Sequence, residues 1–420
     1  MADVRGVRAA WAALVVLGLA LAGIVAVTTP WRALPPGAPE VAADPARDFT
    51  AADIARSQAF DAALSAPAYL SLALGLVFAV VLVATPFGAR VVRRVPGPWW
   101  VKAVGGVVAL TVVVELLRWP LGVWSETYLR EYGLSTQTWL SWSVDRLKNT
   151  AVSTLLTALM VVVLIALARR FARWWIPAAL GAFALTLAAS FVYPVVVEPI
   201  FNDFRPMQAG RLRDDLLAMA GRDGVPVDDV LVADASRRTT ALNAYVSGFG
   251  ATRRIVVYDT LLKAPENEIE LIVAHELGHA ERDDVLSGTL IGGLGAAWGV
   301  ILLYLVTSAG APRRRAAVPS IADPRAVGLL MGLMSLAAFL SGPGQNLVSR
   351  HIEARADVHA LDLTRDPGTF VAMQRRLALT NIADLDPDPF EYLLYSSHPT
   401  APQRIAAARS WALRDRVPEP

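Results

Sequence analysis

Long apolar runs, separated by short polar ones, fill most of this chain. Seven stretches approach the roughly 20 apolar residues that a helix needs to cross a hydrocarbon core. They are residues 10–27, 68–87, 101–118, 152–168, 174–197, 285–308 and 326–348. The third carries Lys102 and Glu115, so it is either a weaker span or one that faces a polar cavity. Ser341-Gly342-Pro343-Gly344 interrupts the seventh, whose apolar part is expected to end near Leu340. The pattern predicts a mostly α, multi-pass membrane protein of about seven spanning helices.

Two polar segments stand apart from the spans. In residues 198–284, Arg211–Ala220 reads as an amphipathic helix and Val227–Ala233 as a strand. Asn243–Ser247 and Arg254–Tyr258 read as a β-hairpin around Gly248-Phe249-Gly250. Pro265 then opens a helix whose Glu266, Glu268 and Glu270 suit its positive N-terminal end. Residues 349–420 read as mostly helical. Four regions follow: 1–197 with five spans, 198–284 with the hairpin, the two-span hairpin 285–348, and 349–420. Within the first, residues 30–66 are rich in Pro, Ala and Asp, and 51–64 is expected as a helix at the membrane surface. Trp119, Trp124, Trp139 and Trp142 fit indoles anchored at headgroup level, or a lining for substrate.

Composition supports this picture: 55% of residues are hydrophobic and only 18% charged, and mean hydropathy is +0.44. The net charge of +2 gives no basic patch for nucleic acid. The arginines fall instead into short loops, at Arg90, Arg93 and Arg94, at Arg169, Arg170 and Arg173, and at Arg313, Arg314 and Arg315, which is a topology signal. The chain has no cysteine, which excludes disulfides, thiolate metal sites and lipidated cysteines. Arg5 and Arg8 precede the first apolar run as in a signal peptide. No small-x-small cleavage site follows before Thr28-Thr29-Pro30, so a retained span is expected.

The chemistry concentrates in His275-Glu276-Leu277-Gly278-His279. Positions i and i+4 share a helix face, so both imidazoles aim at one point and can hold zinc at roughly 2.0–2.1 Å. Glu276 lies beside the first ligand, placed to take a proton from activated water. A chance match on a surface helix would look the same over five residues, but two of only five histidines fall in this pattern.

A catalytic zinc usually takes three protein ligands and one open position. A metzincin would need a glycine at 282 and a histidine at 285, where this chain has Arg282 and Val285. A soluble thermolysin-like enzyme would supply a Glu some twenty-odd residues on, yet residues 285–310 hold no carboxylate and read as a span. Two spans bring residue 349 back to the face that holds His279, and the first acid met there is Glu353, with His351 the runner-up ligand. Asp357, one turn on, either accepts the free N–H of a ligand imidazole or pairs with Arg350 or Arg355.

These residues resemble the type I CAAX prenyl proteases, integral-membrane gluzincin zinc metallopeptidases. The likeness is carried by Glu198-Pro199-Ile200-Phe201-Asn202, Asn243-Ala244-Tyr245, the run 254–262, the HELGH motif, Ser349-Arg350 through Glu353 and Asp357, and Ser397-His398-Pro399 with Arg404. It implies seven spanning helices enclosing a chamber, with one Zn2+ per chain at its wall on a zincin-like catalytic region. His275, His279 and Glu353 would bind zinc, Glu276 would be the base, and Asp357 would support a ligand. Asn243, Ala244 and Tyr245 would pair with substrate. His398 and Arg404 would steady the transition state, although from the residues alone His398-Pro399 equally caps a helix and Arg404 pairs with a carboxylate. The Asn243–Ser247 strand reads equally as an ordinary hairpin strand. Ala280 stands where the family often has an aromatic residue. Glu281-Arg282-Asp283-Asp284 is unusually acidic, which is expected to bear on substrate preference more than on zinc chemistry.

The expected function is a membrane zinc metalloendopeptidase, monomeric, acting on peptides or membrane proteins that can carry a lipid. A membrane chamber protein that binds lipid or peptide without cutting is the alternative, but a structural zinc site has no use for Glu276. A transporter has no recurring charged pair across the spans to support it. Loop charge puts the arginine loops in the cytosol, and with them the zinc site on the outer face of the cell membrane; the eukaryotic members of the family present these segments to the cytosol.

Overall fold

The computed structural model describes residues 4–248 and 253–420. Seven helices among the described residues are long and apolar enough to cross a membrane. The first, α1 (Val4–Thr28), packs against the sixth span, and Gly18 leaves room there for the Trp298 indole, which donates to the Leu14 carbonyl at 3.1 Å. A short α2 (Pro45–Asp48) leads to α3 (Ala51–Ala84), α4 (Phe87–Arg93), α5 (Trp99–Glu131) and α6 (Trp139–Arg170). α7 (Trp175–Val192) ends in a π turn over Tyr193–Val197, where Pro194 cannot supply the regular helical N–H, and resumes as α8 (Glu198–Phe201).

Two of these elements differ from the sequence expectation. Residues 51–64 form no separate surface helix; they are the first turns of α3, which runs unbroken through Pro67. A Thr50–Asp53 capping box starts that helix outside the apolar stretch. The seventh span also continues through Ser341-Gly342-Pro343-Gly344, as α13 (Val327–Thr364). Pro343 removes the donor to the Phe339 carbonyl, and Gly342 before it has no Cβ to meet the ring; the Ser341 hydroxyl bonds the neighbouring Ala338 carbonyl at 2.9 Å. One rod therefore joins the span to Glu353.

The polar segments build one body. β1 (Phe204–Pro206), β2 (Asp229–Ala233), β3 (Ala244–Ser247) and β4 (Arg254–Tyr258) form a sheet of order β1-β2-β4-β3, with β2 parallel to β4 and β3 antiparallel to it. Gly248, at φ +96°, opens the β3–β4 turn; Phe249 and Gly250 lie outside the described residues. β1 was not expected, since three residues ending in proline carry almost no strand pattern. α9 (Arg211–Arg222) and α10 (Glu266–Glu281) pack on the sheet, followed by α11 (Asp284–Ser308), the short α12 (Ala311–Arg315) and then α13. α14 (Pro367–Asn381), α15 (Pro389–Tyr395) and α16 (Ala401–Asp415) close over α10 and α13. α10 is apolar almost all round, from Ile269 to Ala280, as befits a helix enclosed on every side. Each fully buried leucine there, such as Leu277, contributes about 1.5–3 kcal/mol.

Candidate metal centre

α10 delivers His275 and His279 to one side, and α13 crosses it to deliver Glu353. The crossing is close because Gly278 has no side chain: a Cβ there would lie 3.0 Å from the His359 ring of α13. His275 Nε2 and His279 Nε2 are 3.2 Å apart. Glu353 Oε2 is 3.2 Å from His275 Nε2, and Oε1 is 3.5 Å from His279 Nε2. A tetrahedral zinc with bonds near 2.0–2.1 Å demands ligand–ligand edges of roughly 3.3 Å, so the three groups fit that ion. His351, the runner-up, packs edge-on against Trp31 with ring centroids 5.1 Å apart and takes no part in the cluster.

Each imidazole is held from behind by a carboxylate. Asp357, 1% exposed, lies 2.9 Å from His275 Nδ1. It is also gripped by Arg404, whose Nε donates to Oδ2 at 2.8 Å and Nη2 to Oδ1 at 2.5 Å. Its partners are thus His275 and Arg404, while Arg350 donates to the carbonyls of Tyr392 and Ser396. Behind His279 the carboxylate is Asp284, 2.9 Å from Nδ1 and paired with Arg355. The acidic run 281–284 reads as bearing on substrate preference, yet the structure turns Asp284 to His279. The cause is local: α10 stops at Glu281, Asp283 takes a left-handed φ of +52°, and the chain doubles back into α11. The signal was the carboxylate just beyond the helix end, but its direction depended on that one backbone angle.

Glu276 points between two cavities. One, of about 430 Å3, is lined by β3, His279, Glu353 and the start of α11. The other, of about 290 Å3, is lined by Ile272, Met373, Leu377, Asn381, Pro399 and their neighbours. Burial, opposed by the two imidazoles, raises the Glu276 carboxyl above the usual range. His398 Nε2 stands 3.3 Å from Glu353 Oε2 with its side chain 58% exposed. It does not cap α16; Thr400 does, with Gln403 completing the box. Asn243 and Ala244 line the larger cavity, and β3 is the edge strand of the sheet. Tyr245 lines it too; burial and the Glu198 carboxylate beside it push its phenol up, so it stays a neutral donor.

Comparison with known proteins accounts for nearly the whole chain. Residues 206–412 match Peptidase family M48, and residues 39–203 match the CAAX prenyl protease N-terminal region, described as five membrane helices. The Bacillus subtilis protein named uncharacterized metalloprotease YhfN is 33% identical over 314 residues, 74% of each chain. The Saccharomyces cerevisiae CAAX prenyl protease 1 is 26% identical, over 71% of this chain and 69% of its own. The crystal structure of S. mikatae Ste24p shares the fold, with a TM-score of 0.74 over 97% of this chain and 99% of that one, at 20% identity.

Proposed function

The chain belongs to the CAAX prenyl protease family of M48 peptidases and is a multi-pass membrane metalloprotease, and from that premise we propose that it is a zinc endopeptidase that cuts extended, membrane-associated or lipidated peptides. The observation that carries the reading is the His275–His279–Glu353 triangle, with edges of 3.2–3.5 Å and a carboxylate behind each imidazole. When bound, zinc supplies Lewis acidity for the scissile carbonyl and lowers the pKa of a water toward ~7. Glu276 then accepts the proton of that water and returns it to the leaving amine. Burial raises that carboxyl above the usual range, the direction a group that must both take and return a proton needs. His398, largely exposed above Glu353, donates to the developing oxyanion. Arg404 has Nε and Nη2 on Asp357, and acts chiefly by fixing that carboxylate against His275.

Substrate enters as a strand. β3 pairs with β4 on one side only, and its start at Asn243, Ala244 and Tyr245 borders the cavity that holds the ligands. An added peptide strand gains main-chain hydrogen bonds there and lies across Glu276, with a cavity on either side for its side chains.

The test is cleavage of a farnesylated CAAX peptide by the detergent-purified protein, beside Glu276→Ala and a chelated sample. Cleavage lost in both controls, with Glu276→Ala still holding one zinc, is the expected result. Loss of zinc in Glu276→Ala would overturn the base assignment. Stoichiometric zinc without cleavage of prenylated or unmodified peptides would favour a chamber that binds without cutting.

A further inference from the structure

A second polar site lies among the membrane spans, outside the metal centre. Between α3, α5 and α6 is a cavity of about 360 Å3 lined by Ser71, Arg118, Gly122, Glu126, Trp142 and Arg146, among others. Charges on membrane-spanning helices are rare and need partners. Glu115 takes Arg146 at 3.1 Å, and Glu126 takes Arg130 at 2.8 Å and accepts from Ser135. Arg118 has no carboxylate among the described residues; its one bond is to the Ser71 carbonyl at 3.4 Å. The Nε atoms of Arg118 and Arg146 are shut off from solvent with no partner. Three arginines thus meet two glutamates, leaving one positive charge without a carboxylate partner among the described residues.

The packing is arranged around those guanidiniums. A Cβ at Gly75 of α3 would lie 1.9 Å from Arg118 Nη2, and one at Gly122 of α5 would lie 2.6 Å from Arg146 Nη1. Two helices have given up side chains where the two cations sit. Trp119 and Trp142 flank Arg146 at 5.4 and 5.8 Å, and Trp139 carries Arg130 at 4.1 Å. Indoles of this kind mark the headgroup level. Leu116, Leu117, Leu140 and Leu147 beside them are exposed, an apolar surface for acyl chains.

We propose that this cavity binds an anionic phospholipid, with Arg118 and Arg146 holding the headgroup phosphate. A phosphodiester carries the single negative charge that the arginine excess requires, and guanidinium forks match its oxygens. Basic pockets between spans that hold lipid headgroups are a known solution to this charge problem. The reading is independent of proteolysis.

Full-length protein in detergent is titrated separately with dioleoylphosphatidylglycerol, dioleoylphosphatidylcholine and inorganic phosphate, and bound lipid is counted by native mass spectrometry beside the thermal midpoint. The expected result is one phosphatidylglycerol retained at a tenfold or lower lipid ratio than phosphatidylcholine. Arg118→Gln should lose that preference, and Arg118→Lys should keep part of it. Arg118→Gln removes the uncompensated charge, so its lipid-free midpoint should not fall. Equal phosphatidylglycerol retention by wild type and Arg118→Gln would overturn the site. Stabilisation by inorganic phosphate as large as that by phosphatidylglycerol would replace the lipid with a small soluble anion. A KM increase in Arg118→Gln that vanishes for a C-terminally amidated peptide, with lipid retention unchanged, would give the pair to the substrate carboxylate instead.

Discussion

Asp284 shows how much a single side chain adds to a motif. HExxH specifies two imidazoles on one face, but each ring can still rotate and change tautomer. Asp357 removes that freedom from His275, and Asp284 removes it from His279. Such supports typically carry 10–100-fold of metal affinity. Asp284→Asn should therefore weaken zinc binding by about 10–100-fold, read by competition with a chelator of known affinity; unchanged affinity would reduce Asp284 to an ion-pair partner of Arg355. The raised carboxyl of Glu276 has its own consequence. A base works only when unprotonated, so kcat/KM should be intact above its pKa and fall as pH drops through it. With the pKa raised, that loss begins above the ordinary glutamate value of about 4.3. An acid limb at or below the free-glutamate value would contradict the burial argument.

At the level of elements, the site is a crossing of two helices, and Gly278 sets its distance. The ring of His359 occupies the space where a side chain at 278 would project, and its Nε2 is tied to Asp223 at 3.0 Å, so it cannot easily yield. Gly278→Ala should push α13 from α10 by a few tenths of an ångström and lengthen the edges to Glu353. Overpacking of this kind costs about 1–3 kcal/mol. The expected outcome is a lower thermal midpoint together with reduced zinc occupancy. A variant with wild-type occupancy and activity would show that the crossing has slack. The same rod-like α13 explains how Glu353 stays in register with the two imidazoles: an unbroken helix carries it out of the span, where a break at Pro343 would have left it on a loose segment.

Across the whole molecule, charge and packing sort the loops to two ends. At one end Arg169 donates to the Ala322 carbonyl, and α4 packs beside residues 324–326, so the arginine-rich loops gather together. At the other, Ser135 bridges Thr239, and the buried Asp48–Arg409 pair staples α2 to α16 around the metal centre. By loop charge the arginine end is cytosolic. The chain has no cysteine, so single substitutions report topology cleanly. With a membrane-impermeant maleimide, exposed Glu40→Cys should label on intact cells and exposed Ser320→Cys only after permeabilisation. The reverse pattern would place the metal centre in the cytosol.

Apolar run length and motif spacing were enough to read seven spans and to single out His275, His279 and Glu353, which the fold gathers into one cluster, because hydrocarbon thickness and helix pitch act on local sequence. The β3–β4 pairing was legible for the same reason, through strands close in the chain. What the sequence left open depended on contacts between distant residues or on single backbone angles. Proline and glycine at 342–344 read as a break, yet α13 passes through them, giving up only the one backbone bond that Pro343 cannot make. Asp357 was poised between an imidazole and a surface arginine until α16 brought Arg404 to it, and Asp284 gained its role from one left-handed residue. Arg118 and Arg146 are 28 positions apart, and no spacing rule joins them; only the packing of α3 against α5 and α6 makes their charges share one cavity.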